Sequence, residues 1–395
     1  MKVLITTFTY YPQRNGVASV SKYLAEGLAK NGYEVCVATC RDGLDTADSE
    51  VYNGVLIRRF DFYETFFKKP AGDISGYVEY VKNCGQDFLI MECLQCHTTD
   101  VLLPYLREMR CKKLIHAHGA PGLYMKPFII GDSLKHTLGN TYNWLLRKWY
   151  YKRYFIKFAS EIDASLSCCI CATDIPYFNK TISRNYIIEN SADGMFFKDN
   201  SETIDVFREY GIRSKCYILN IATFNERKNQ SLLIDVFAKS NLKDCALLII
   251  GTERNAYSDY LERKAKKVVA EKGCEIIILD KSVPRELFPS IIKQAELFVI
   301  TSKWEEYPIT LVETMAVGTP FLSTAVGNAH TLPGGITARN DEELPILLKT
   351  MFDNPRIMKR MSEMGKEYAL MTNSPRSVIS DLISIFNDVL RDSQN

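Results

Sequence analysis

Trp304-Glu305-Glu306-Tyr307-Pro308-Ile309-Thr310-Leu311-Val312-Glu313-Thr314-Met315-Ala316-Val317-Gly318-Thr319-Pro320 follows an all-apolar run at 297–300 and leads into a mostly apolar one at 320–323. Short apolar runs without alternation read as strands covered on both faces. Between them, residues 310–316 read as a helix that the Gly318-Thr319-Pro320 turn cluster ends. Strand, helix and strand in succession form one unit of a parallel sheet wrapped by helices. The same alternation extends outward. Strands are expected at 216–222, 246–250 and 275–279, with helices at about 231–239, 257–271 and 286–294. Toward the N-terminus, residues 2–7, 34–39, 55–60, 88–91, 114–117 and 164–167 read as strands. Residues 17–30 read as a helix with Val17, Val20, Tyr23, Leu24 and Leu28 on one stripe and Asn31-Gly32 ending it.

The turn cluster Asn190-Ser191-Ala192-Asp193-Gly194 separates the two series. The expected fold class is therefore α/β, two Rossmann-like doubly wound domains at residues 1–190 and 191–373, facing across a cleft. A final segment, 374–395, carries Val378, Ile379, Leu382, Ile383, Phe386 and Val389 at helical spacing and reads as a docked helix. The length of 395 residues suits such a two-domain chain.

Composition narrows the function. Lys plus Arg is 49 against 47 Asp plus Glu, so bulk charge argues against a nucleic-acid partner. No apolar stretch approaches the ~20 residues of a membrane span, and the first apolar run is too short for a signal-peptide core. A cytoplasmic protein, or one at the inner membrane face, is expected. Most of the cysteines, Cys36, Cys40, Cys111, Cys168, Cys169, Cys171, Cys216, Cys245 and Cys274 among them, sit in apolar runs and read as small buried hydrophobes. Cys93-Leu94-Gln95-Cys96-His97 matches a haem-attachment pattern, but without an export signal it reads as a βα loop.

The expected chemistry gathers at strand ends. Glu305 falls in a strand-to-helix loop, on the side where doubly wound sheets bind ligands. Glu313 follows two helical turns later. Ionised carboxylates accept strong hydrogen bonds, which suits sugar and ribose hydroxyls. Free N–H groups in the early turns of that helix suit a phosphate. Gly16 opens a helix and lets backbone approach a phosphate closely. Ala222-Thr223-Phe224-Asn225-Glu226-Arg227-Lys228-Asn229 joins a strand to a helix and offers two cations. His116 and His118 lie on one side of an extended chain, with no third metal ligand evident nearby.

The Glu305-to-Glu313 spacing with Met315-Ala316-Val317-Gly318-Thr319-Pro320 resembles retaining glycosyltransferases of the GT-B fold, family 4 (glycosyl transferases group 1). Tyr11-Pro12-Gln13-Arg14-Asn15-Gly16-Val17, Asn31-Gly32-Tyr33-Glu34-Val35 and Ile188-Glu189-Asn190-Ser191-Ala192-Asp193 are similar to further elements of that family, in order along the chain. The resemblance implies an acceptor-binding N-terminal domain, a nucleotide-sugar-binding C-terminal domain, and a tail that docks back on the first. It implies a metal-independent, retaining hexosyltransferase with a UDP- or GDP-hexose donor and no other cofactor. A glycan or lipid-linked acceptor of surface polysaccharide synthesis would receive the hexose. Glu305, His118 and Lys228 are the implied catalytic residues. Gly16, Thr223, Arg227, Lys228, Glu305, Tyr307, Pro308, Ile309 and Glu313 line the implied donor site.

Three positions depart from the family pattern. Thr223 stands where an Arg would clamp the diphosphate, Pro308 cannot donate an N–H, and Asn328 replaces the second Gly of a Gly-Gly loop at Gly327. These departures motivate the alternative of a GT-B-shaped, non-catalytic binding or scaffold protein. The sequence has no Asp-x-Asp triplet, the metal–diphosphate ligand of the other major glycosyltransferase class. Residues 143–157 carry Arg147, Lys148, Lys152, Arg153 and Lys157 interleaved with aromatics, a composition suited to peripheral contact with an anionic membrane.

Overall fold

The computed structural model describes the chain except residues 14, 42, 66–68, 124–133, 199–203, 282 and 392–395. It divides into two compact units, Met1–Asn190 with Val378–Asn395, and Ser191–Ser377.

The first unit is built on β1 (Lys2–Thr7), α1 (Gly16–Lys30), β2 (Glu34–Cys40), β3 (Ser49–Tyr52), β4 (Val55–Phe60), the hairpin β5 (Phe62–Glu64) and β6 (Pro70–Gly72), and α2 (Ile74–Asn83). It continues through β7 (Phe88–Glu92), α3 (His97–Asp100), β8 (Lys112–His116), α4 (Leu134–Trp149), β9 (Ala164–Ser167), α5 (Ile175–Thr181) and β10 (Asn185–Ile187). Eight strands run in the order β10-β9-β8-β7-β1-β2-β4-β3. All neighbours pair in parallel except the edge strand β3, which pairs antiparallel with β4. The expectation of strand and helix in alternation holds for β1, β2, β4, β7, β8 and β9. It misses β3, β10 and the β5–β6 hairpin, which are short, edge-lying or half polar and so carry no buried apolar run.

The second unit contains α6 (Val206–Tyr210), β11 (Cys216–Ile221), α7 (Gln230–Ser240), β12 (Cys245–Ile250), α8 (Ala256–Lys272), β13 (Glu275–Leu279), α9 (Phe288–Gln294) and β14 (Leu297–Ile300). It ends with α10 (Ile309–Val317), β15 (Phe321–Thr324), β16 (Gly335–Ala338), α11 (Glu343–Phe352) and α12 (Pro355–Thr372). The six strands, all parallel, run β13-β12-β11-β14-β15-β16. Every residue of β12 and β14 is buried, as strands covered on both faces require.

Local chemistry sets the element ends. The Asn15 side chain accepts from the Ala18 N–H at 3.0 Å and caps α1. Asn255 and Ser258 form a reciprocal capping box at α8. Gly318, at φ +86°, closes α10 in the left-handed conformation that glycine adopts most easily. The last helix, α13 (Pro375–Arg391), groups with the first unit from Val378 onward. Phe386 stacks on Phe88 with ring centroids 4.1 Å apart, and the Tyr186 hydroxyl donates to Asp388.

Each sheet reverses direction once. In the first unit the chain leaves β1 toward β2 and later restarts at β7; in the second it leaves β11 toward β12 and restarts at β14. Open doubly wound sheets bind ligands at such switch points, beyond the carboxyl ends of the strands. The loops after β11 and β14 contain Thr223, Arg227, Lys228 and Glu305.

Candidate active site

Adjacent parallel strands place their following loops side by side, and the loops after β11 and β14 meet accordingly. The Lys303 N–H donates to the Arg227 carbonyl at 2.8 Å. Lys228 Nζ lies 2.6 Å from Glu305 Oε1, and an Arg227 guanidinium nitrogen lies 3.4 Å from Glu305 Oε2. Arg227 also donates to the Trp304 carbonyl at 3.4 Å and covers the indole at 5.8 Å. Glu305 is buried, so its carboxylate needs the two cations around it. Two cations against one carboxylate leave this cluster with surplus positive charge, which suits an anionic ligand.

Thr223 is exposed and accepts from the Asn225 side chain at 3.0 Å. It supplies no charge. Arg227, four residues later, is the second cation actually present in the cluster.

Glu313 lies apart from that ion pair. It sits in the middle of α10, buried, and pairs with Arg285 from the loop after β13. Burial pushes its carboxyl above the ordinary value, and the Arg285 guanidinium opposes that shift. Arg285 also covers the rings of Phe196 and Phe288. No motif marked Arg285 in the sequence. Pro308 is the N-cap residue of α10 and Ile309 its first residue; the Pro308 carbonyl accepts from Leu311 at 2.9 Å. Tyr307 is buried, and its hydroxyl accepts from the Asn373 amide at 2.8 Å.

Gly327, at φ +50°, lies so close to the Glu306 backbone that a Cβ there would come within 2.4 Å of the carbonyl oxygen. Asn328 beside it is fully buried, and neither atom of its amide finds a hydrogen-bond partner among the described residues.

Gly16 and His118 belong to the first unit. Gly16 is exposed as the first residue of α1, with nothing within 4 Å of a Cβ built there. His118 follows β8 at φ +54°, a left-handed conformation rare for a residue with a side chain. The sequence showed no third metal ligand near His116 and His118. The structure corrects this. β7 and β8 are neighbours with Glu92 paired to His116, so the Glu92 carboxylate faces both rings. His118 Nε2 donates to Glu92 Oε2, and His116 Nδ1 lies 3.2 Å from the same oxygen.

Burial alone would raise the Glu92 carboxyl, but the two imidazoles pull it down to about 2. Burial, then His116, holds His118 below its ordinary value against the pull of Glu92. The three side chains offer ligand atoms within 4.8 Å of one another, and such a set could also hold a cation. A usable signal existed: Glu92 directly follows the strand read at 88–91, at its ligand-binding end.

The cysteines form no disulfide among the described residues. Cys171 is exposed and Cys216 and Cys274 are partly so, because an apolar run also supplies loop and strand-start positions. In the Cys93–His97 loop, Cys96 is buried and His97 Nε2 lies 3.1 Å from Cys40 Sγ. That contact ties the loop to β2, across β1. Of the aromatics in 143–157, Tyr150, Tyr151 and Phe155 are buried in the core, whereas Trp149 is exposed.

Comparison with known proteins places this geometry. The family model described as Glycosyl transferases group 1 matches residues 204–335, which contain Thr223, Arg227, Lys228, Glu305 and Glu313. That stretch is a group 1 glycosyltransferase domain. An MMP alpha-(1->4)-mannosyltransferase of Mycolicibacterium hassiacum is 25% identical over 32% of each chain, so the match spans about a third of that relative's length. An N-acetyl-alpha-D-glucosaminyl L-malate synthase of Bacillus anthracis is 22% identical over 98% of this chain and 97% of its own. The solved structure of Anabaena Alr3699/HepE in complex with UDP aligns with a TM-score of 0.70 at 13% identity, covering 98% of this chain and 100% of the other. The fold is that of the GT-B glycosyltransferases, α/β with parallel-sheet Rossmann-like domains.

Proposed function

We propose that this protein is a retaining, metal-independent hexosyltransferase that takes its sugar from a nucleotide-sugar, a UDP-hexose in the first instance. The observation that carries the reading is the Lys228–Glu305 contact of 2.6 Å at the switch point of the second sheet, with Arg227 beside it. A diphosphate leaving group gains negative charge as the glycosidic bond breaks, and preplaced cations lower the barrier most in such a step. Lys228 and Arg227 serve the diphosphate, and the N–H groups at Gly16, at the start of α1, also suit a phosphate. Glu305 receives the hydroxyls of the donor hexose, and Glu313 the ribose hydroxyls. The UDP-bound solved relative supports a uridine donor.

The first unit binds the acceptor, a glycan or lipid-linked sugar, and His118 hydrogen-bonds a sugar hydroxyl. The bond from the anomeric carbon to the diphosphate oxygen breaks. The acceptor oxygen bonds to that carbon from the same face, and its proton passes to the departing diphosphate. Base contacts are expected near 251–254 and 279–283; residue 282 lies outside the described residues.

Thermal unfolding with UDP, GDP and ADP tests this reading. UDP at 100 times its dissociation constant is expected to add ~2.7 kcal/mol of stability, equally with and without EDTA. If none of the three nucleotides raises the melting temperature, the non-catalytic scaffold reading replaces this one.

Membrane contact through 143–157 forms part of the same proposal. Leu138, Tyr142 and Leu145 fall on one stripe of α4 and are 62%, 51% and 55% exposed. Arg147, Lys148, Lys152, Arg153 and Lys157 follow in the same stretch of sequence without an acid among them. Apolar and basic faces together suit the headgroup boundary of an anionic bilayer. The chain is expected to sediment with vesicles containing anionic lipid and to stay behind with neutral ones. Equal recovery from both would refute the contact.

A further inference from the structure

A cavity of about 1100 Å³ opens in the first unit. Its walls come from the β5–β6 hairpin, α2, the segment Leu103–Glu108, and α4 with the turn that follows. It is reached by the loops after β4, β7 and β8, so it lies on the ligand-binding side of the sheet. Nothing in the donor chemistry above uses it.

The lining has two characters at once. Tyr105, Trp149 and Tyr154 present aromatic surface, and Trp149 stacks on Tyr154 with centroids 5.4 Å apart. Between them stand side chains that exchange hydrogen bonds with hydroxyls. The amides of Asn83, Gln95 and Asn143 have no hydrogen-bond partner among the described residues. Asp100 accepts from the Tyr150 hydroxyl at 2.6 Å and keeps acceptor capacity in its second oxygen. Lys82 and Arg147 stand against Glu64, Glu79 and Asp100, so the walls carry little net charge and do not select a strongly charged ligand.

An acyl or isoprenoid chain would cover the aromatic rings but bring no partner for the amides, each of which costs free energy when buried unpaired. A sugar chain meets both demands. Its apolar C–H faces lie on the rings and its hydroxyls pair with the amides and carboxylates. The volume takes roughly two or three pyranose rings, beyond the ~1,000 Å³ of large small-molecule pockets.

We infer that this cavity binds a neutral di- or trisaccharide portion of the acceptor, stacked on Trp149 and hydrogen-bonded by Asn143, Gln95 and Asp100. The inference rests on the glycosyltransferase reading, to which it adds the acceptor class.

The test is calorimetric titration of the full chain with a panel of neutral di- and trisaccharides and, separately, with geranylgeranyl phosphate. At least one saccharide is expected to bind. Its dissociation constant should rise about tenfold in Trp149→Ala, the loss expected for one stacked ring. A similar loss is expected in Asn143→Trp, which fills the cavity from an exposed helix position and leaves the core intact. Both variants should keep the stabilisation by UDP. The inference is overturned if UDP stabilises the chain but no saccharide binds. Saccharide binding that survives both substitutions overturns it too, as does binding of geranylgeranyl phosphate alone. Saccharide binding lost in both variants, without any nucleotide stabilisation, would uphold the cavity site while the transferase reading fell.

Discussion

Lys228→Ala and Glu305→Ala are each expected to lower sugar transfer by roughly 10²–10³-fold or more, the scale of removing one preorganised charge from a transition state. The two side chains touch at 2.6 Å, so their losses should not add. Without Lys228, Glu305 keeps only Arg227, 3.4 Å away and largely exposed. Without Glu305, Lys228 loses its partner and the donor hexose loses an acceptor for its hydroxyls. Arg227→Ala tests whether this residue stands in for the charge that Thr223 lacks; a smaller loss is expected, because its guanidinium is already half in water. The measurement is nucleotide release from the donor in the presence of acceptor, with melting temperature as the control for folding. Wild-type transfer by either Lys228→Ala or Glu305→Ala would refute the assignment.

Glu92→Ala should destabilise the protein by about 1–3 kcal/mol at pH 7, since it strips the hydrogen-bond acceptor shared by two buried imidazoles. For a unit of this size that corresponds to a fall of roughly 5 °C in melting temperature. The pH dependence carries the same signature. In the folded chain Glu92 titrates near 2, below its ordinary 4.5. A depressed carboxyl contributes stability that is present above the unfolded value and lost as pH falls toward the folded one. That contribution is about 3 kcal/mol. His118, also held low, adds a loss in the same direction as pH falls below its ordinary value of 6.5. The wild type should therefore lose stability steeply from about pH 6 downward. Glu92→Ala should start lower and fall less between pH 4.5 and 2, the window in which Glu92 titrates. Equal melting temperatures for variant and wild type at pH 7 would show that the cluster does not hold the strand ends together.

The sequence by itself determined the alternation of strand and helix, and with it the parallel-sheet class. Buried parallel strands such as 245–250 must be apolar throughout, and helices such as α1 and α13 must carry an apolar stripe; both patterns are local and therefore readable. The loops were equally legible. Glu305 follows one apolar strand and Lys228 another, so both had to lie at strand ends.

Which loops meet depends on strand order, and strand order is not local. Lys228 finds Glu305 because β11 and β14 are neighbours although 77 residues separate the two side chains. Glu92 faces His116 and His118 because β7 lies beside β8, and Arg285 reaches Glu313 because the loop after β13 returns over α10. Composition marked 143–157 as basic and aromatic, but only packing decided that Tyr150, Tyr151 and Phe155 go into the core while Leu145 and Trp149 stay exposed. A sequence records which residues can be buried or charged. The tertiary structure selects their partners, because burying a charge is tolerable only where the fold brings its counter-charge.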